Sequence, residues 1–253
     1  MRIDLNGDVG EHPSGTAGHP DAGLIPHLTS ANVACGFHAG DAGMMRDTIA
    51  LAIGHGVAIG AHPSFPDPEG FGRRELQFSP ADVEDFVAFQ VGTLAGIAAS
   101  QGVRLQHVKP HGALFNMAAR DAALADAVAR GARMIDPDVI LFGLPNSQLI
   151  EAGKRAGLRT ATEGFADRAY RSDGSLMPRT EPGALIVDAD DVISRVIRMA
   201  RDRMVDAVDG KPVPVAVDTI CVHGDTPGAA DLAARIRAAL AREGVELKSV
   251  SAP

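Results

Sequence analysis

Two hydrophobic periods alternate along this chain. Short apolar runs that stop on Gly, Pro or a charged residue read as buried strands, and longer stretches with apolar residues at helical spacing lie between them. The strands predicted in this way are Met1–Leu5, Leu28–Cys35, Val57–Ala61, Val103–Val108, Val139–Gly143, Leu158–Gly164 and Val213–Val222, with a weaker one at Leu185–Val187. Helices fill the gaps. Asp41 caps one that carries Met45, Ile49, Ala52 and Ile53 on a single face and ends at Gly56. Ser79-Pro80 opens the clearest, with Val83, Phe86, Val87, Val91, Leu94 and Ala98 at helical spacing before Gly102. Others are predicted at about 120–132, at 147–156, after Asp190 through Met204 and Val208, and after Thr226-Pro227 through Leu240.

Strand and helix alternate without a linker, a composition break or an internal repeat, so residues 1–253 read as one domain built on a parallel sheet. No Gly-x-Gly-x-x-Gly follows the first strand, and a closed barrel fits better than a doubly wound sheet. In such a barrel the functional face is formed by the strand C-termini. Four predicted strands end in histidine beside Gly or Pro: Cys35-Gly36-Phe37-His38, Ala61-His62-Pro63, Lys109-Pro110-His111-Gly112 and Val222-His223-Gly224. Proline removes a ladder donor and glycine frees the backbone, so each strand must stop there. Asn6 and Asp8, after the first strand, fall on the same face. A lone histidine at a strand end is usually structural, but independent structural histidines have no reason to collect at one face. His12, His19, His27 and His55 lack this placement and read as loop or surface residues.

Composition narrows the partners. The formal charge of −8 argues against nucleic acid or an anionic membrane surface. Two cysteines, Cys35 and Cys221, cannot build a disulfide framework and read as small buried hydrophobes in a reducing compartment. No basic-then-apolar leader and no apolar run of bilayer length is visible, so the expected location is the cytoplasm.

Lys109 is the sharpest single candidate. A lysine at the end of a buried strand bears a large desolvation cost unless it is paired or loses its proton. It is expected to be an electrophile holding an anionic group, a general base with a depressed pKa, or a structural partner of Asp4 or Asp8. Asp8 offers a base, a partner for Lys109 or a metal ligand, and Glu11 orients a neighbour. Arg73 and Arg74, in a Pro- and Gly-rich loop resembling a shaped lid, could bind a carboxylate or phosphate, or pair with Glu69 and Glu75. Absent are a Walker-type loop, a Gly-x-Ser-x-Gly elbow, a Cys-x-x-Cys pair and a His-Glu-x-x-His helix. A divalent metal held by Asp8, His62 and His111 stays geometrically open.

Seven segments then resemble one family: Asp4–Glu11 (DLNGDVGE), Ser30–Asp41 (SANVACGFHAGD), Gly60–Ser64 (GAHPS), Gly70–Arg74 (GFGRR), Val108–Leu114 (VKPHGAL), Glu163–Tyr170 (EGFADRAY) and Cys221–Pro227 (CVHGDTP). Together they are similar to the signature blocks of the LamB/YcsF lactam-utilisation family. Departures are Ala42, where proline is expected, and Phe115, where a tyrosine hydroxyl is usual. The resemblance implies a seven-stranded, TIM-like (β/α) barrel of the glycoside hydrolase and deacetylase type. It also implies a role as the A subunit of an ATP-dependent 5-oxoprolinase, converting 5-oxo-L-proline to L-glutamate with separate B and C subunits and ATP as co-substrate.

On this reading Asp8, His62, Lys109 and His111 are the catalytic set. Asn6, His38, Asp41 and His223 orient substrate, and Arg73, Arg74, Arg168 and Arg179 bind anions. The competing expectations are a metal-dependent deacetylase or carbohydrate amidase using Asp8, His62 and His111 as ligands, and a non-catalytic lactam-binding protein. Homo-oligomerisation and the presence of a metal stay open.

Overall fold

A computed structural model describes residues 1–15, 18–224 and 228–250. Its strands are β1 (Arg2–Val9), β2 (Ser30–Ala34), β3 (Ala58–His62), β4 (His107–Val108), β5 (Ile140–Gly143), β6 (Arg159–Phe165), β7 (Met204–Asp206), β8 (Pro212–Pro214), β9 (Thr219–Val222) and β10 (Glu246–Leu247). Its α-helices are α1 (Ala42–Gly54), α2 (Pro80–Ser100), α3 (Gly112–Arg120), α4 (Ala122–Ile135), α5 (Gln148–Arg155), α6 (Ala189–Asp202) and α7 (Ala229–Arg242). Parallel pairing runs β1-β2-β3-β4-β5-β6-β9, and β9 pairs back onto β1 (Leu5 opposite Ile220), which closes a seven-stranded barrel. β10 adds to the N-terminal end of β1, and β7 and β8 form a separate antiparallel hairpin.

The two faces of the barrel wall differ in chemistry. Ile3, Leu5 and Val9 of β1 join Val33, Ile59, Val108, Leu141 and Ile220 in the main apolar core. The intervening positions of β1 are Asp4, Asn6 and Asp8, all buried, and their hydrogen bonds run to residues of β2, β6 and β9 and to Lys109, just past β4, across the barrel interior. This period-two alternation puts a polar network inside the barrel and the apolar layer between strands and helices. Ile140, Phe142 and Ala161, packed with Val250, form a small separate apolar cluster.

The interior has a stereochemical requirement at Gly60. A Cβ there would lie 2.1–2.3 Å from the His107 ring, so glycine makes room for that imidazole. His107 stacks on Phe142 with 4.3 Å between ring centroids, and its Nε2 lies 2.7 Å from Asn32 Oδ1.

Several predicted boundaries move. β1 continues to Val9 because Asn6 and Asp8 are strand residues facing a polar interior, a pattern that reads as a loop from sequence. α6 is capped by Asp188 rather than Asp190, and ends at Asp202. Met204 leaves it through Arg203, which sits in the left-handed region at φ 56°. The predicted strand Val213–Val222 is split into β8 and β9, while Leu185 makes only an isolated bridge with Arg168. α3, which starts directly after His111, is absent from the predicted elements. Ala42 is the first residue of α1, where proline's fixed φ and missing N–H are tolerated, which accounts for the expectation of proline there. The predicted helix start at Thr226-Pro227 lies outside the described residues. Among the described residues, no helix is long and apolar enough to cross a membrane.

Candidate active site

The polar interior rises in layers toward the strand C-termini. In the lowest layer Asp4 accepts hydrogen bonds from Thr29 (2.6 Å), Ser30 (2.7 Å) and Thr219 (2.5 Å). Burial, only partly opposed by these donors and by Lys109, holds its carboxyl above the usual carboxylate range. Above it Asn6 donates to Thr219 Oγ1 (2.7 Å) and to Glu163 Oε1 (3.0 Å), and accepts from Asn32 (2.7 Å).

The next layer contains charge. Lys109 Nζ lies 2.9 Å from Asp8 Oδ1, 2.9 Å from Glu163 Oε1 and 2.9 Å from Cys221 Sγ, with Asn6 Oδ1 at 3.3 Å. Burial acts to strip the ammonium of its proton, but Asp8, Cys221 and Glu163 outweigh it and raise the lysine well above its ordinary pKa. Lys109 is therefore a fixed cation, which removes the general-base role from the expectations for it. Asp8 is also buried, and His62 and Lys109 nevertheless hold it well below the usual carboxylate range. Its Oδ1 accepts from Asn32 at 2.8 Å, and its Oδ2 lies 3.4 Å from His62 Nε2. Glu163 is pulled the other way: burial raises its pKa more than Lys109 lowers it, and its Oε2 has no hydrogen-bond partner among the described residues.

The uppermost layer is a histidine cluster. His111 Nδ1 faces His62 Nε2 at 3.0 Å, and the His38 ring stacks on His111 with 3.9 Å between centroids and 3° between planes. Glu11 Oε1 lies 3.1 Å from His38 Nε2 and 3.5 Å from His111 Nδ1. Burial is the largest effect on both His38 and His111. It pushes His38 down to about 3 and His111 well below its ordinary value, so both rings are neutral.

A cavity of about 870 Å³ opens on these layers, with Asp8, Lys109 and His111 on its floor and Phe115 and Phe165 on its wall. Phe115, in the tyrosine position, meets Phe165 edge-on at 5.6 Å, so this wall is apolar. Arg73, Arg168 and Arg179 line the cavity too. Arg168 donates to the Met177 carbonyl at 2.5 Å, and burial, then Arg179, pushes its pKa down to about 10. His223 also faces the cavity, and its Nδ1 lies 2.8 Å from Asp167.

The expected site residues therefore separate. Asp8, His62, Lys109 and His111 form one contiguous group with Asn6 beneath and His38 above; Arg73, Arg168, Arg179 and His223 stand around the cavity. Two do not join. Asp41 accepts from Met44 N (2.9 Å) and Ser14 N (2.8 Å), so its carboxylate caps α1 rather than orienting substrate. Arg74 is tied to the buried Asp67 and lies 3.8 Å from Glu69, because Asp67 also accepts from Gly70 N and Arg74 N and folds the loop around itself. Glu163, Cys221, Asn32 and Asp167 join the site without having been expected there. All four lie in the sequence segments quoted above, and the alternation Asn6, Asp8 and His107, Lys109 is the signal that could have placed the first three. His19, expected in a loop, caps the short 3-10 turn Pro20–Gly23.

The protein is thus a parallel β/α barrel with a buried lysine, carboxylates and histidines at the C-terminal end of its strands. A family 4 carbohydrate esterase from Streptomyces lividans has the same fold, at TM-score 0.51 and 13% identity, over 99% of this chain and 93% of that one.

The chain belongs to the LamB/YcsF family, whose model matches residues 3–253. It is 52% identical over 98% of each chain to the 5-oxoprolinase A subunit of Bordetella pertussis. It is 43% identical to the lactam utilization protein of Thermus thermophilus, whose crystal structure superposes at TM-score 0.92 over 98% of this chain and 100% of that one.

Proposed function

We propose that this chain is the A subunit of an ATP-dependent 5-oxoprolinase, a hydrolase that opens 5-oxo-L-proline to L-glutamate. The observation that carries the reading is Lys109, held 2.9 Å from both Asp8 and Glu163, beside His111 on the floor of a cavity lined by Arg73, Arg168 and Arg179. An unstrained five-membered lactam does not open readily, and phosphorylation of its carbonyl oxygen by ATP makes the ring carbon electrophilic. Arg73, Arg168 and Arg179 supply the counter-charge for that phosphoryl group. The cavity is much larger than a bare lactam and lies within the usual range of small-molecule sites.

Water attacks the activated carbon while Asp8 or a neutral histidine takes its proton. Lys109 stabilises the oxygen on which negative charge develops. The C–N bond then breaks, the nitrogen leaves as the amine, and hydrolysis of the resulting acyl phosphate yields glutamate. The chain has no Walker-type loop, so the phosphorylation step is assigned to the B and C partner subunits, with all three in the cytoplasm. Two buried free thiols agree with a reducing compartment.

The test is a 5-oxoproline-dependent glutamate assay with and without those partners. Glutamate is expected only from the complete set. Its absence there overturns the substrate, and full 5-oxoproline-dependent ATP hydrolysis by the isolated chain overturns the division of labour.

A further inference from the structure

We propose that Glu11, His38, His62 and His111 bind one divalent transition-metal ion of the zinc type. Proton positions define the ligand atoms. His62 Nδ1 lies 2.7 Å from the Lys109 carbonyl oxygen, and a carbonyl only accepts, so this nitrogen carries the hydrogen and donates it. His111 Nε2 lies 2.8 Å from the Phe71 carbonyl and must donate in the same way. Ser64 Oγ spends its own hydrogen on the Phe65 carbonyl at 2.8 Å, so His38 Nδ1, 3.0 Å away, is the donor to that hydroxyl.

Each ring therefore holds a hydrogen on its outward nitrogen and turns its other nitrogen inward. The inward nitrogens face one another and a carboxylate. His62 Nε2 and His111 Nδ1 are 3.0 Å apart, His38 Nε2 and Glu11 Oε1 3.1 Å, and His111 Nδ1 and Glu11 Oε1 3.5 Å. All four ligand atoms lie within 4.8 Å of one another.

The spacing of the ligand atoms fits a metal centre. Bonds of about 2.0–2.1 Å in a tetrahedron place ligand atoms about 3.3 Å apart, and the three distances above bracket that value. Imidazoles whose second nitrogen is anchored to a carbonyl or hydroxyl are the usual outer shell of such a centre. The backbone contributes as well: Phe71 holds a left-handed φ of 53°, uncommon for a bulky residue, while its carbonyl receives the His111 proton. Binding requires the parallel His38 and His111 rings to tilt apart, and His38, whose outward nitrogen meets a serine hydroxyl rather than a backbone carbonyl, is the ring placed to do so.

Glu11, rather than Asp8, is the carboxylate ligand. Asp8 Oδ1 is already engaged by Lys109 and Asn32, and an ammonium 2.9 Å away weakens that carboxylate as a ligand. His111 lies on the cavity floor, which gives an ion its route in.

The experiment needs neither substrate nor partner proteins, so its outcome is independent of the lactam reading. The full-length chain is stripped with a chelator, dialysed and titrated with cobalt(II) and zinc(II), following cobalt visible absorption and bound metal by elemental analysis. One ion per chain is expected in the wild type. Glu11→Gln and His38→Asn should each weaken cobalt binding at least about 100-fold, whereas Asp8→Asn should retain it. Circular dichroism checks that each variant is folded, and the wild-type stoichiometry decides the question even if one is not. A stripped wild-type chain that takes up no ion in excess metal overturns the proposal. So does binding that survives Glu11→Gln and is lost in Asp8→Asn.

Discussion

Lys109→Met removes the cation that sits between Asp8 and Glu163. The ammonium lies 2.9 Å from an oxygen of each, and at an effective dielectric constant near 20 each contact is worth about 6 kcal/mol of gross attraction. Most of that attraction offsets the desolvation of three buried charged groups, several kcal/mol apiece. Deleting the cation leaves the desolvation of the carboxylates and removes its compensation, so the expected loss of stability is about 3–5 kcal/mol.

The loss should grow as the pH rises above the ordinary glutamate range. Glu163 already has a raised pKa in the folded protein, and without Lys109 it is raised further. The unfolded chain then sheds its proton while the folded chain resists, so folding loses stability with increasing pH. Urea denaturation at several pH values measures both effects. Glu163→Gln alone should cost about 1 kcal/mol, because an amide keeps the acceptor toward Lys109 and gives up only the charge. The double variant should be less destabilised than the sum of the singles by about 1–2 kcal/mol. A Lys109→Met protein within about 1 kcal/mol of wild type, the scale of a neutral hydrogen bond, or strictly additive singles, would refute the view that the lysine neutralises its neighbours.

Three further outcomes are expected. Gly60→Ala drives a methyl group into the His107 ring, with contacts of 2.1–2.3 Å before relaxation, and should cost at least about 1–3 kcal/mol by urea denaturation. In the reconstituted glutamate assay, Arg168→Ala should raise the KM for 5-oxoproline at least about 10-fold, while Arg74→Ala, which removes a side chain bound to Asp67 outside the cavity, should change it less than about twofold. Equal effects of the two would remove the arginine wall from the substrate site. Burial raises the Cys35 thiol to about 12 and leaves it 3% exposed, so the native protein should react with a thiol reagent at neutral pH only after denaturant is added. Prompt reaction without denaturant would show that this region opens.

Much of the architecture is legible in the sequence because it rests on local chemistry. Ser79 forms a capping box with Asp82 and Pro80 takes the first turn, and α2 begins where they stand. The Lys109-Pro110-His111-Gly112 sequence stops a strand wherever it occurs, and β4 ends at Val108. α3 escapes the same reading for a related reason. It begins at Gly112, inside a stretch of strand-breaking residues, and gains its stability from the buried Leu114, Phe115 and Met117 rather than from a side-chain cap. Asn6 and Asp8 read as loop residues because an alternation of charged and apolar positions only makes sense once a polar barrel interior exists to receive it.

By itself, the sequence determined which strands end on chemistry and that these ends share one barrel face. Strand termini, caps and turns follow from the conformational preferences of a few neighbouring residues. Only the tertiary structure decided which side chains meet. Glu163 and Lys109 are 54 residues apart, and Cys221 is 112 from Lys109, so their encounter depends on the closure of β9 onto β1. The protonation of Lys109 was decided there as well, since it results from two carboxylates and a thiol brought within hydrogen-bonding distance inside the barrel. Arg73 and Arg74 show the same division at the smallest scale. The two are adjacent in sequence, yet one lines the cavity and the other is held to Asp67, because the fold of one loop turns successive side chains to opposite sides.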